Sequence, residues 1–158
     1  MNAESASTEA VVRHHLRAFL DQQGVTAIVS DYDDNASFCS ETRIYRGKHE
    51  IADFFTEFIA SLPVNAIERF TLRSLQVDRN IACITWSVGS DILLGTDTFV
   101  VHRGKIVSQT FAMLTAPGSM VPLDTVWQEN RDVGLFIEST DGENITQDAP
   151  PHLTRTAG

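Results

Sequence analysis

The spacing of hydrophobic residues changes near Pro63, and this change constrains the fold more than any other feature of the sequence. Before Pro63, apolar residues recur three and four positions apart, which is the spacing of one face of a helix. After it, residues 65–116 alternate between apolar and polar side chains, as strands with one buried face do. Helices followed by a run of strands predict an α+β fold.

Three helices are predicted in the first part of the chain. Ser7 or Thr8 would cap the first helix, and Gly24 would end it. Pro63 closes the third and clearest helix. The three helices are expected at residues 7–22, 25–31 and 48–61.

The remaining segments predict strands joined by short turns. Residues 32–35 are interpreted as a polar turn and 36–46 as a strand pair. Short turns between successive strands require antiparallel hairpins. A curved antiparallel sheet wrapped around the three N-terminal helices would form a cone with a pocket at its open end. The four strands of this meander are expected at 65–78, 81–90, 93–102 and 105–116.

The chain is expected to comprise one domain, 1–116, and an acidic C-terminal extension, 117–158. The extension contains proline at intervals and carries seven acidic residues against two arginines. Its apolar segments, 126–127 and 133–137, would allow it to pack on the domain or on a partner subunit.

Charge and composition exclude several classes of partner. The net charge is −9, and the basic residues are dispersed, so we expect no nucleic-acid binding. No apolar run approaches the ~18 residues of a membrane helix, so we expect no membrane association. Cys39 and Cys83 are interpreted as reduced thiols, with a disulfide between them as the alternative, and without an export signal we expect the cytoplasm. The spacing of histidine and cysteine predicts no metal site, and no motif predicts a cofactor.

Four short motifs occur in a characteristic order: residues 31–38 (DYDDNASF), 45–51 (YRGKHEI), 97–99 (DTF) and 104–107 (GKIV). In order and spacing they resemble the nuclear transport factor 2-like superfamily, and within it the SnoaL-like and ketosteroid-isomerase-like branch. The resemblance covers residues 8–116 and implies a cystatin-like roll. The fold hosts isomerases, dehydratases and cyclases, and also domains without chemistry.

Asp97 is the candidate catalytic residue. It alternates with Phe99 and Val101 in a predicted strand, so all three share one face. An acid in an apolar pocket is costly to ionise, and its neutral form can donate a hydrogen bond to an oxyanion. The resemblance places Asp97 at the oxyanion-hole aspartate of ketosteroid isomerase. The alternative is a structural acid that accepts hydrogen bonds from a neighbouring strand or pairs with an arginine.

Two positions depart from the isomerase pattern. The resemblance puts that enzyme's general base at or near Ser40 and its helix-one tyrosine at Leu16. Serine cannot shuttle a proton as a carboxylate does, and leucine donates nothing. Steroid isomerisation by that mechanism is therefore not expected, and Glu41 is a weak replacement base.

Further residues are candidates for binding a small hydrophobic ligand, with core filling as the alternative role. They combine aromatic and sulfur-containing side chains with a few polar anchors, as ligand pockets do. They are Tyr32, Trp86, Phe99, Gln109, Phe111, Met113 and, at the pocket rim, His15.

Two functions follow from this sequence. The first is a small-molecule-binding protein; a reaction in its pocket would be that of a cofactor-free isomerase, dehydratase or cyclase acting on a hydrophobic carbonyl compound with Asp97 as acid. The second is a non-catalytic homodimeric binding or assembly domain. Its interface would be the outer face of the sheet, expected to carry Leu72, Leu75, Thr85 and Leu114.

Overall fold

The computed structural model of the chain describes residues 2–120. Three helices and six strands occur in this part of the chain. The helices are α1 (Ala3–Leu20), α2 (Val25–Val29) and α3 (Gly47–Ser61). The strands are β1 (Tyr32–Cys39), β2 (Ile44–Arg46), β3 (Phe70–Asp78), β4 (Ile81–Val88), β5 (Ile92–His102) and β6 (Lys105–Thr115).

The six strands form one curved, unclosed sheet in the order β2-β1-β6-β5-β4-β3. Strands β3 to β6 form the expected antiparallel meander. The predicted α+β architecture, three helices packed against a curved sheet, is confirmed. One pairing was not predicted, since β1 runs parallel to β6. Parallel pairing is possible because β2, α3 and β3 to β5 provide the long connection that it requires.

Two local predictions in the N-terminal part were wrong. Helix α1 begins at Ala3, because the side chain of Asn2 accepts a hydrogen bond from the Ser5 amide at 2.8 Å and caps the helix there. Thr8, expected as a cap, is buried inside the helix. Residues 32–35 begin β1 instead of forming a turn, because the aromatic ring of Tyr32 is fully buried.

A bulge in β3 changes which of its side chains face inward. The register with β4 shifts between Leu72 and Ser74, so Leu72 pairs with Trp86 and Leu75 pairs with Ile84. Both leucines therefore pack against the core, and their predicted position on the outer face was wrong. Thr85 and Leu114 do lie on the outer face, where Leu114 is 60% exposed.

The core lies between the helices and the concave face of the sheet. Helix α3 supplies a row of aromatic side chains, and Phe38 of β1 packs against Phe54 with 4.3 Å between ring centroids. Both cysteines are free thiols. None of the described helices is long and apolar enough to cross a membrane. The predicted extension, apart from 117–120, lies outside the described residues.

Candidate functional site

A small cavity lies between α1, α3 and the concave face of the sheet. Its volume is about 50 Å³, and its walls are mostly aromatic and aliphatic. Among residues 2–120, four polar side chains line it: His15, Trp86, Asp97 and Gln109. The apolar lining residues are Leu16, Phe19, Phe55, Phe58, Leu62, Ala66, Ile67, Phe70, Ile84, Val88, Phe99 and Phe111.

Asp97 lies in the inner wall of this cavity. It is 5% exposed, and it alternates along β5 with Gly95 and Phe99, which are also buried. Its neighbours directly across the sheet are Ile84 on β4 and Phe111 on β6, both apolar. The alternation of side chains along the strand thus places a carboxyl group among hydrophobic residues.

Two side chains on the flanking strands hold the Asp97 carboxyl. The Trp86 Nε1–H donates to Oδ2 at 2.7 Å, and the Gln109 amide nitrogen donates to Oδ1 at 2.7 Å. Both donors are diagonal neighbours of Asp97, a separation that long side chains can bridge. The Tyr32 hydroxyl donates to the Gln109 carbonyl oxygen and fixes the orientation of that amide.

Burial makes Asp97 easier to protonate than an ordinary aspartate. Desolvation raises its pKa to about 6, although the hydrogen bonds from Trp86 and Gln109 act in the opposite direction. No lysine or arginine among the described residues lines the cavity. The carboxyl therefore changes protonation state close to neutral pH, which suits a group that transfers protons.

His15 reaches the same cavity from α1. It is 4% exposed, and its Nδ1–H donates to the Ile28 carbonyl at 3.3 Å, which fixes the neutral tautomer with a lone pair on Nε2. Desolvation lowers its pKa to about 4, with Asp31 and the Ile28 hydrogen bond acting in the opposite direction and His14 adding to the fall. His15 is therefore a neutral hydrogen-bond acceptor at pH 7.

Gly95 determines where the Trp86 indole can lie. The two residues are cross-strand partners, and a Cβ at position 95 would lie 2.1 Å from Trp86 Cε2. The indole thus rests directly on the backbone of β5, which only glycine permits. That position directs Nε1 toward Asp97.

Six of the eight predicted site residues line the cavity: His15, Trp86, Asp97, Phe99, Gln109 and Phe111. Tyr32 does not line the cavity; its hydroxyl donates a hydrogen bond to Gln109, which does. Met113, which pairs with Gly95, does not line the cavity either.

Sequence reasoning missed Gly95 and the contribution of α3. Phe55 and Phe58 form much of the wall facing the sheet. Their helical spacing was visible, but spacing alone does not distinguish a cavity wall from a filled core. Leu16, at the position of the isomerase tyrosine, also lines the cavity and supplies no donor.

The two candidate positions for a general base lie away from the cavity. The Ser40 hydroxyl donates to the Arg43 carbonyl at 3.0 Å in an exposed turn. A Glu41 carboxylate oxygen accepts a hydrogen bond from the Met113 amide at 2.8 Å. Within residues 2–120, no group of three or more histidine, cysteine or acidic side chains is placed to hold a metal ion.

Comparison with known proteins identifies the fold. No protein-family model matches the chain, and no curated protein matches it in sequence. A nuclear transport factor 2-like protein of unknown function from Burkholderia xenovorans is 18% identical, with a TM-score of 0.59 over 74% of this chain and 92% of that one. A putative ketosteroid isomerase from Kribbella flavida is 16% identical, with a TM-score of 0.57 over 72% and 82%.

A third solved structure is of a hypothetical protein with a ketosteroid isomerase-like fold from Catenulispora acidiphila in complex with trimethylamine. It is 10% identical, with a TM-score of 0.52 over 65% of this chain and 83% of that one. The fold that the sequence resemblance implied is confirmed, since the chain has the nuclear transport factor 2-like fold that ketosteroid isomerase-like proteins share.

We predict that Gly95→Ala displaces the Trp86 indole and removes its hydrogen bond to Asp97. The added methyl group has no space, so the free energy of unfolding should fall by about 1–3 kcal/mol. In a Trp127→Phe background, Trp86 is the only tryptophan, and its fluorescence should shift to longer wavelength. Thr96→Ala, on the opposite face, is the control. Unchanged emission and stability in Gly95→Ala would contradict the packing.

We also predict a pH-dependent stability difference between the wild type and Asp97→Asn. The pKa of Asp97 rises on folding from 3.8 to about 6, so its stabilising contribution is present below pH 3.8 and lost as the pH rises through 6. Because pH 4 already lies just above the unfolded value, Asp97→Asn should gain about 2 kcal/mol relative to wild type between pH 4 and pH 7. Urea unfolding at both pH values measures this difference.

The variant must be compared with the wild type because the contribution of His15 to stability changes with pH in the direction opposite to that of Asp97. Its pKa falls on folding from 6.5 to about 4, so its contribution is present above pH 6.5 and lost as the pH falls through 4. In the wild type, the pH-dependent contributions of Asp97 and His15 to stability partly cancel. The difference in unfolding free energy between the wild type and Asp97→Asn isolates the contribution of Asp97. Asp78→Asn, at an exposed position, is the control. A difference that stays constant from pH 4 to pH 7 would refute the assignment to Asp97.

Proposed function

We propose that this protein binds a small hydrophobic molecule in the cavity, with Asp97 as the proton-transferring group of a cofactor-free reaction. The observation that carries the proposal is a buried carboxyl in an apolar cavity without a lysine or arginine among its described lining residues. A purely structural acid of this burial is normally paired with a cation. Asp97 is instead held by two neutral donors and borders open space.

The protonated form of Asp97 supports acid chemistry on a carbonyl compound. A neutral carboxyl that borders the cavity can donate a hydrogen bond to a carbonyl oxygen and stabilise the negative charge that develops there. Isomerisation, dehydration and cyclisation all pass through such enolate-like states. The positions of Ser40 and Leu16 argue against steroid isomerisation by the ketosteroid isomerase mechanism, because neither supplies its base or its tyrosine.

The shape of the site favours a ligand that extends outward. A groove of about 520 Å³ adjoins the cavity and shares four wall residues with it. The shared residues are Phe19, Leu62, Ala66 and Ile67. A carbonyl group could lie against Asp97 while an apolar substituent occupies the groove. The trimethylamine in the Catenulispora structure supports small-molecule binding by proteins of this fold.

We predict that Asp97→Ala and Asp97→Asn both weaken ligand binding and strongly reduce turnover across a panel of enones and polyketide-like ketones. Asparagine keeps the shape but carries no transferable proton, so it should retain more binding than alanine and no more turnover. Loss of one positioned donor typically reduces a rate 10²–10³-fold. Asp78→Asn is the matched surface control. Unchanged binding and turnover in both variants would remove Asp97 from the mechanism.

The second candidate function is a non-catalytic homodimer, and the outer face of the sheet supports it. Away from the β5–β6 hairpin, where Lys105 pairs with His102, this face carries no charged residue on β4, β5 and β6, although much of it is accessible. A charged residue, Arg73, lies at the β3 edge, where its Nε–H donates to the Ser87 hydroxyl at 3.1 Å. The outer-face residues are Ile81, Cys83, Thr85, Leu94, Thr96, Thr98, Val100, Ser108, Thr110, Ala112 and Leu114.

An uncharged face of three strands favours pairing with a second copy of itself, because charged residues are depleted from interface cores. We predict that Leu114→Lys weakens dimerisation at least tenfold by burying a charge there. Val64→Lys, at an 83% exposed loop position, should leave assembly unchanged. Sedimentation velocity over a range of concentrations measures both. A wild type that remains monomeric at the highest concentration would rule out the dimer.

A further inference from the structure

We propose that the ionised form of this site binds a small organic ammonium ion, with the Asp97 carboxylate as its counter-ion. The inference rests on the proposed function in using the same cavity and the same residue. It goes beyond that function because it names a second class of ligand, bound by the other protonation state of Asp97.

The charge balance of the cavity is the first argument. Ionised Asp97 is a buried negative charge, and the described residues around it provide no cation. Neutral donors from Trp86 and Gln109 offset only part of the cost of removing a carboxylate from water. A positively charged ligand would supply the missing partner, and the low polarity of the surroundings would strengthen that attraction.

Hydrogen-bond capacity is the second argument. The single N–H of Trp86 is used by Asp97, and the Nδ1–H of His15 is used by Ile28. Gln109 retains one amide hydrogen beyond its bond to Asp97. By contrast, each carboxylate oxygen accepts only one hydrogen bond and can accept a second. The site therefore offers more acceptors than donors and suits a ligand that donates.

His15 adds an acceptor to the same cavity. Its Nε2 has no partner within the described part of the chain, whereas every fully enclosed side-chain nitrogen or oxygen there has one. Because His15 is buried and lines the cavity, we infer that Nε2 faces the cavity. An ammonium group with two or three N–H bonds could donate to both Asp97 and His15.

The walls of the cavity suit the substituents of such an ion. Aromatic rings attract cations through their faces, and seven aromatic residues line the cavity. They are Phe19, Phe55, Phe58, Phe70, Trp86, Phe99 and Phe111. A volume of about 50 Å³ holds roughly three to five water-sized groups. This is the size of an ammonium nitrogen with a few carbon atoms, and a longer substituent would extend into the adjoining groove.

The pH dependence of binding follows from the groups that face Asp97. His15 on α1 and Tyr32 on β1 are the titratable ones; α3, β3, β4 and β6 present apolar side chains, Trp86 and Gln109. His15 is neutral above pH 5, and burial raises the pKa of Tyr32, so both stay neutral near pH 7. Ammonium binding should therefore strengthen as Asp97 ionises around pH 6, whereas binding of a neutral carbonyl ligand should weaken.

The test is titration of the full chain with trimethylammonium chloride and with tert-butanol, a neutral probe of similar shape, at pH 5.0 and pH 7.5. With a pKa of about 6, the ionised fraction of Asp97 rises about tenfold over this interval, so the trimethylammonium dissociation constant should fall about tenfold. The tert-butanol constant should stay level or rise. Carboxyl ¹³C chemical shifts should also show a lower Asp97 pKa in the presence of trimethylammonium.

Two variants test whether Asp97 is the residue responsible for binding and for its pH dependence. Asp97→Asn should weaken trimethylammonium binding and remove its pH dependence, while Asp78→Asn should leave both unchanged. The wild-type pH profile decides the question even if Asp97→Asn fails to fold. Binding that is independent of pH, or of Asp97, would overturn the inference. Binding of enones or tert-butanol without trimethylammonium would overturn it and leave the proposed function standing. Binding of neither class would overturn both.

Discussion

The cost of keeping one carboxyl group away from water governs the candidate site. Asp97 lies among apolar residues because β5 alternates its side chains, and no described lysine or arginine compensates for it. The protein instead surrounds the carboxyl with neutral donors whose positions depend on other constraints. Trp86 needs a glycine beneath its ring, and Gln109 needs Tyr32 to orient its amide. Changing any of these residues should alter the protonation of Asp97.

The sequence contains enough information for the architecture, because hydrophobic spacing determines element type and short turns determine the antiparallel meander. It does not reveal pairings between strands that are distant in the chain. The parallel contact between β1 and β6 is such a case, and so is the start of β1 at Tyr32. A bulge is also invisible to an alternation pattern, which is why Leu72 and Leu75 were assigned to the wrong face.

At the site, the alternation of side chains within each strand was sufficient to place Asp97 on β5, Trp86 on β4 and Gln109 on β6 on the concave face. Their mutual hydrogen bonds were not predictable, because they depend on register across three strands. Gly95 carries no chemical group, so only the distance between its backbone and the indole explains its role. Met113 shows the converse, since it packs against the core as expected but does not line the cavity.

The central position of β6 has a consequence for synthesis of the chain. This strand is the last of the described elements, yet it lies between β1 and β5 and joins the two parts of the sheet. The hydrogen bond between Tyr32 and Gln109 spans 77 positions. While the ribosome is still translating the codons for β6, β1 has only β2 beside it, and its other edge is unpaired. The nascent chain therefore cannot close its sheet until β6 has emerged, and until then the unpaired edge of β1 is open to non-native pairing.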